Sequence, residues 1–341
     1  MGKRLTMTYS KVLTTAALTA ALALGAVLPT SAASAATLTE DNSERIFGSD
    51  RYQTSLEVSF SGWDDDSVGT VVVATGADFP DALAAAPLAG LHYSPLLLTK
   101  KDSLPEGFAA ELKRLGADNV ILVGGTGAIS DKVQTQIKNL GVKVDRISGK
   151  TRYETAVSIA EEVGMGDTLY VATGANFADS LSVSPSAALF ADPILLVPAT
   201  GAVPTVVADY IEENQPEWPL IVGGKSAVGP AVEELFEEEP IRFAGATRYE
   251  TNQQFNEFAL ENEFVVNPNE IFIATGTNYP DALSGSSLAA LYGGPLVLTA
   301  KTPTAASKEQ IQDFSTKYSY YTILGGEGAV SSDTLKKLFA K

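Results

Sequence analysis

A ten-residue pattern suited to anion recognition is written three times in the sequence. It reads Arg45-Ile-Phe-Gly-Ser-Asp-Arg51-Tyr52-Gln-Thr, then Arg146-Ile-Ser-Gly-Lys-Thr-Arg152-Tyr153-Glu-Thr, then Arg242-Phe-Ala-Gly-Ala-Thr-Arg248-Tyr249-Glu-Thr. Each copy carries two arginines six residues apart around a glycine. A guanidinium group is planar, permanently charged and matched to phosphate or carboxylate through paired N–H donors. Six of them set out by threefold repetition could bind a repeating anionic polymer. Two other uses draw on the same chemistry. Each arginine can pair with an aspartate of its own repeat (Asp81, Asp179, Asp281), or it can tie neighbouring repeats together. Tyr52, Tyr153 and Tyr249 can stack on sugars or cover the core.

Little else in the chain is equipped for catalysis. There is no cysteine and one histidine, His92, which has no counterpart in the other repeats and reads as a surface or helix-end residue. Neither a Ser/His/Asp or Cys/His set nor zinc-ligand spacing emerges, so no catalytic residue, metal or cofactor is expected. The acids of residues 233–239 read as a solvated helix end. Gly124-Gly-Thr-Gly-Ala-Ile-Ser130 sits between an apolar run and a helical pattern, where backbone N–H groups can meet an anion. It fits neither the dinucleotide fingerprint nor the Walker pattern, and Gly223-Gly-Lys-Ser226 lacks the glycine the latter needs.

The elements that position these residues repeat in step. Ala74-Thr75-Gly76 returns at Ala172-Thr173-Gly174 and Ala274-Thr275-Gly276, and Gly124-Gly125 at Gly223-Gly224 and Gly325-Gly326, with spacings of 96 to 102 residues. The chain is thus a triplicated unit of about 100 residues. In the first copy, a short strand at Arg45–Phe47 precedes a helix opened near Asp50. Buried strands follow at Val71–Ala74, Pro95–Thr99 and Asn119–Val123. Between them lie a helix from an Asp81 N-cap to Leu91 and one from Leu104 to Gly116; Ser130 caps a fourth. Strands at Val142–Ile147, Thr168–Ala172, Pro193–Val197 and Leu220–Val222 carry the plan through the second copy. Its cap residue is Asp179, and Gly229-Pro230 replaces the serine cap. The third copy repeats it at Ile271–Ala274, with Asp281 as cap, and at Pro295–Thr299 and around Ile323. It closes with a helix at Thr334–Ala340 and no further strand. Alternating strands and helices call for parallel sheets covered on both faces, a Rossmann-like or flavodoxin-like α/β sandwich.

Composition narrows the setting. With 45% hydrophobic residues the chain can bury more than one core. Residues 1–36 have the form of an export signal, with Lys3, Arg4 and Lys11 before an uncharged run to Leu28 and a small-residue stretch to Ala36. Removing that segment takes away three positive charges and no acid, from −17 to −20. Such a charge argues against nucleic acid or an anionic membrane as partner. Only seven arginines remain, and Arg114 alone lies outside the motifs.

The ordered series Arg-x-x-Gly-x-x-Arg-Tyr-x-Thr, Ala-Thr-Gly-x-x-[Phe/Tyr]-Pro-Asp-Ala-Leu, Pro-Leu-Leu-Leu-Thr and Gly-Gly-x-Gly-Ala-[Ile/Val]-Ser resembles the cell wall-binding repeat 2 family, over Arg45 to Lys341. The second copy departs from it at Ala178 and Gly229. The resemblance implies three Rossmann-like modules packed as a pseudo-trimer that hold a protein non-covalently to an anionic glycopolymer of the Gram-positive wall. It divides the chain into a signal peptide (1–36), a leader (37–44) and repeats at 45–141, 142–239 and 240–341. The expectation is a secreted, wall-associated, non-enzymatic monomer with internal pseudo-threefold symmetry. The alternatives are an amidase-type wall hydrolase or its modifier, and a surface-layer assembly protein.

Overall fold

The computed structural model describes residues 40–316 and 319–340; the expected export signal lies outside them. Twelve strands are found among the described residues. They are β1 (Ser43–Ile46), β2 (Thr70–Thr75), β3 (Leu96–Thr99), β4 (Asn119–Val123), β5 (Lys143–Ile147), β6 (Thr168–Thr173), β7 (Ile194–Val197), β8 (Trp218–Val222), β9 (Ile241–Phe243), β10 (Glu270–Thr275), β11 (Leu296–Thr299) and β12 (Tyr320–Leu324). The α-helices are α1 (Arg51–Gly62), α2 (Ala86–Leu91), α3 (Phe108–Leu115), α4 (Asp131–Lys138), α5 (Arg152–Val163), α6 (Ala178–Phe190), α7 (Thr205–Asn214), α8 (Arg248–Glu261), α9 (Pro280–Tyr292), α10 (Ala305–Phe314) and α11 (Ser332–Leu338). None is long and apolar enough to cross a membrane.

The strands form three four-stranded sheets, ordered β3-β2-β4-β5, β7-β6-β8-β9 and β11-β10-β12-β1, and every pairing is parallel. Within each sheet the order is second, first, third, fourth, the flavodoxin-like arrangement. The central strands are continuous apolar runs buried on both faces, as Val71, Val72 and Val73 are.

Each sheet takes its edge strand from the next repeat: β5 joins the first sheet and β9 the second. Among the described residues no strand follows the third repeat to take this position. β1 fills it, pairing with β12 in the register Ser43↔Tyr321 to Ile46↔Leu324. The two ends of the described chain are therefore stitched into one sheet, and the three modules close a ring.

At the ring centre α2, α6 and α9 pack against one another. Close approach needs small side chains, and Ala86, Ala188 and Ala290 supply one each, buried together. A Cβ on Gly90 of α2 would fall on the carbonyl oxygen of Ala188, so only glycine permits that crossing. Nearby, Phe79, Phe177 and Tyr279 form a triangle with ring centroids 5.5, 5.8 and 5.9 Å apart. One residue per repeat at each level marks a pseudo-threefold axis.

Three local expectations are corrected. Asp81, Asp179 and Asp281 do not cap helices: Asp81 precedes a 3₁₀ turn (Ala82–Ala84) without a side-chain cap bond, and the other two lie just inside α6 and α9. Their carboxylates point elsewhere, as described below. Ser130 occupies the N-cap of α4 but makes no cap bond, whereas Ser331 accepts from the Thr334 N–H at 3.0 Å. After Gly229-Pro230 the fourth helix of the second repeat is a 3₁₀ segment, Pro230–Leu235.

Candidate functional site

The two arginines of each motif do different work. The first reaches back across the junction to the glycine turn of the preceding repeat. Arg45 Nη1 donates to the carbonyls of Gly325 and Val330, at 2.8 Å each. Arg146 Nη1 donates to Gly124 at 2.7 Å, and Arg242 Nη1 to Gly223 at 2.7 Å and Val228 at 3.0 Å. Arg146 also donates to Gln134 Oε1 (2.9 Å from Nη2) and Arg242 to Glu233 (2.8 Å from Nε), whereas Arg242 Nη2 is buried with no partner among the described residues. Burial pulls the pKa of Arg45 and of Arg146 below the ordinary arginine value.

The second arginine opens a helix and turns toward the axis. Arg51 Nη1 donates to the Gly76 carbonyl at 2.6 Å and to the Tyr279 hydroxyl at 2.8 Å. Arg152 Nη1 donates to the Gly174 carbonyl, and Arg248 Nη1 to Gly276 at 2.7 Å. Arg51 lies over the Tyr279 ring and Arg248 over Phe177, 5.4 and 5.2 Å from the centroids, so the axial aromatics also serve as cation–π partners. Among the described residues these three guanidinium groups hydrogen-bond through Nη1 alone.

The neighbouring aspartate belongs to the preceding repeat, not to the arginine's own. Asp281 feels the charge of Arg51, Asp81 that of Arg152 and Asp179 that of Arg248. The reason is packing: α1 rests on α9, α5 on α2 and α8 on α6. Burial raises the pKa of all three carboxyls, Asp179 to about 6; the facing arginines, and Thr155 at Asp81 and Thr54 at Asp281, oppose the rise. Each carboxylate also lies over the first glycine of its own repeat's turn, Gly124, Gly223 or Gly325. These have φ of 104°, 120° and 98°, and a Cβ there would meet the carboxylate. Glycine is needed for both reasons.

The tyrosines cover strand ends. A Cβ at Gly76, Gly174 or Gly276 would stand 2.6, 3.1 or 2.5 Å from Cε1 of Tyr52, Tyr153 or Tyr249. All three rings are half-buried, and burial raises the hydroxyl pKa of Tyr52 and Tyr249.

These parts meet at the carboxyl ends of the strands. Between the first and second repeats they border a cleft of ≈ 650 Å³ lined by Asp81, the turn residues 125–128 and the loop residues 149–153. In an open parallel sheet the crevice for a ligand opens where the strand order reverses. Here the chain passes from β2 outward to β3 and then back to β4, and the cleft sits above that reversal. Polar backbone, one arginine and one half-buried carboxylate make it suited to an anion that also offers hydroxyls. His92 lies apart, as the C-cap of α2, its pKa lowered by burial. Arg114, outside the motifs, is held by Glu111 and Asp65. No cluster of His, Cys, Asp and Glu able to hold a metal occurs among the described residues.

Which parts the sequence leaves unseen is informative. The axial aromatics Phe79, Phe177 and Tyr279 do stand at one repeat position, just before each aspartate, and that aromatic conservation of type across copies is the signal for them. The pairing of each aspartate with the next repeat carries no such signal.

Comparison with known proteins agrees with this architecture. The model of the cell wall binding domain 2 (CWB2) family matches residues 45–134, 146–233 and 242–335. The N-acetylmuramoyl-L-alanine amidase LytC of Bacillus subtilis is 31% identical over 301 residues, 88% of this chain and 59% of the relative. The amidase enhancer of the same organism is 29% identical, over 88% of this chain and 41% of its own length. The chain thus spans about half the length of these curated relatives. Cwp8 from Clostridium difficile superposes with a TM-score of 0.76 at 28% identity, covering 87% of this chain and 51% of its own. For Cwp6 from the same organism the TM-score is 0.78 at 25% identity, over 91% and 51%. With three matched segments, three like sheets and these neighbours, the chain belongs to the cell wall binding domain 2 family.

Proposed function

We propose that this protein is exported by residues 1–36 and held at the cell wall of a Gram-positive bacterium, without catalysing a reaction, through repeats at 45–141, 142–239 and 240–341. In this reading the partner is an anionic secondary wall polymer, bound non-covalently at the module junctions. The observation that carries it is the uncommitted edge of Arg51, Arg152 and Arg248. Their hydrogen bonds among the described residues leave from Nη1, so Nε and Nη2 can present paired donors to a phosphate or carboxylate. Junctions held in one ring let weak contacts add by avidity. Attachment is favoured over amidase chemistry because the single histidine caps the C-terminal end of α2 and is not among the residues lining the junction cleft.

The test uses walls before and after acid extraction of their secondary polymers. The wild-type protein should be retained by intact walls and lost from extracted ones. A variant with Arg51, Arg152 and Arg248 all changed to Lys keeps a cation that can still reach each glycine carbonyl, but loses the paired edge. It should bind intact walls at least about tenfold more weakly, the equivalent of roughly 1.4 kcal/mol, with the fold retained by circular dichroism. Equal retention on both wall preparations would sink the polymer reading, and release of soluble muropeptides would favour a hydrolase.

A further inference from the structure

The three junctions are not copies of one another. The residue that follows the motif strand and faces the glycine turn is Ser148 between repeats 1 and 2, Ala244 between 2 and 3, and Phe47 between 3 and 1. Nothing lies within 4 Å of a Cβ placed on Gly125; Ala244 comes to 4.0 Å of one on Gly224; the Phe47 ring comes to 3.4 Å of one on Gly326. The space over the turn is therefore open, lightly covered, and roofed by an aromatic ring. Phe47 lies there although its side chain stays 52% exposed. The open junction borders the ≈ 650 Å³ cleft.

The helix caps and turn residues also set the third-to-first junction apart. At the cap of α5 and α8 stand neutral Thr151 and Thr247, whose hydroxyls accept the Glu154 and Glu250 N–H groups. At α1 the cap is Asp50, and its carboxylate takes the N–H groups of Tyr52 and Gln53 at 2.9 Å each. An anion approaching this helix would find those donors already used by a like charge. In the glycine turn, Thr126 and Lys225 correspond to Glu327, which is bound to Arg45 at 3.5 Å and to Ser332. Other charges are mixed: at the open junction Asp78 acts on Asp81 and Asp131 on Arg146. Glu154 and Glu250 fold back onto the N–H groups of Lys150 and Ala246 at 2.7 and 2.8 Å. Lys225 in the second turn lies 3.9 Å from Glu233. Beside Asp50 and Glu327 the added cation is Lys100, 5.4 Å from the Tyr52 ring centroid.

We propose that the anionic polymer is bound principally at the junction of the first and second repeats, secondarily at that of the second and third, and is excluded from the third-to-first junction by Phe47 and Asp50. This rests on the polymer-binding reading above and adds that the ring is functionally lopsided. The residue after the motif strand selects which junctions are usable.

Exchanging that residue tests it. Ser148→Phe roofs the open junction, and Phe47→Ser with Asp50→Thr gives the closed junction the residues of the open one. The positions are exposed, and melting temperatures confirm folding. Retention is measured on intact and acid-extracted Bacillus subtilis walls. Ser148→Phe should weaken binding to intact walls by about tenfold or more, since avidity multiplies the loss of one site. The Phe47→Ser/Asp50→Thr protein should bind at least as tightly as wild type. Binding of Ser148→Phe within twofold of wild type, or a matching loss in the double variant, overturns the asymmetry. Wild-type retention on extracted walls equal to that on intact ones would instead overturn the polymer reading itself.

Discussion

Replacing Arg45 by glutamine cuts the ring where the ends of the described chain meet. Arg45 lies in β1, and its Nη1 donates to two carbonyls of the third repeat, Gly325 and Val330, at 2.8 Å each. A hydrogen bond from a charged donor contributes about 1.5–3 kcal/mol net. The two bonds share one nitrogen, so their sum is nearer ~3 than ~6 kcal/mol. The Glu327 contact adds little, because that carboxylate is 62% exposed and solvent screens the pair. Glutamine is shorter and can keep one bond at most. The expected loss is about 2–3 kcal/mol, concentrated on the β1–β12 ladder. Native-state hydrogen exchange reads it directly: the amides of β12 should exchange roughly 30- to 150-fold faster, while those of β4 and β8 change far less. Arg114→Gln is the control, since Arg114 bonds only within the first repeat. Uniform acceleration across all three sheets, or none in β12, would refute the assignment of Arg45 as the ring's closing tie.

Two further outcomes follow from packing and burial. Burial raises the carboxyl pKa of Asp179 to about 6 and of Asp192 to about 7, so the folded state holds these protons more tightly than the unfolded chain does. Stability should therefore increase as pH falls from 8 toward 5, and Asp192→Asn should gain on the order of 1–3 kcal/mol at pH 8 and flatten the profile; a melting temperature that declines steadily from pH 8 to 5 would contradict this. His92, whose pKa burial lowers from 6.5, opposes this gain as pH falls below that value, and Glu327 and Asp333, whose pKa values are depressed, oppose it only below the ordinary carboxylate range. Gly90→Ala places a methyl group on the Ala188 carbonyl and should cost about 1–3 kcal/mol by overpacking; an unchanged denaturation midpoint would show that the axial helices can separate.

The fold was largely legible because each strand is a short apolar run punctuated by glycine and each is written three times. Val71–Ala74, Asn119–Val123 and Ile271–Ala274 all sit within observed strands. The misreadings share one physical origin. Asp81, Asp179 and Asp281 stand where a cap residue would, and local sequence cannot reveal that a helix of the next repeat packs beside them. The third repeat reads as one strand short because its fourth strand is about 280 residues away in the chain. Sequence periodicity reports contacts along one element; contacts between repeats follow from the closure of the ring. The arginines show both sides. Their spacing announces paired guanidinium groups, but their division between a tie to the neighbouring turn and a contact at the axis depends on which helix lies across the junction.

The strand exchange that ends with β1 in the third sheet also fixes copy number. In an open repeat array a further unit can be appended and the end units act as caps. Here no unit is terminal: each lends a strand to one neighbour and borrows from the other, and the axial aromatic triangle has three corners, all occupied. A fourth copy would have to displace β1 and prise apart Phe79, Phe177 and Tyr279. Such a protein cannot tune its grip by growing longer. What it can vary is the residue at each junction, and the difference among Phe47, Ser148 and Ala244 is variation of that kind.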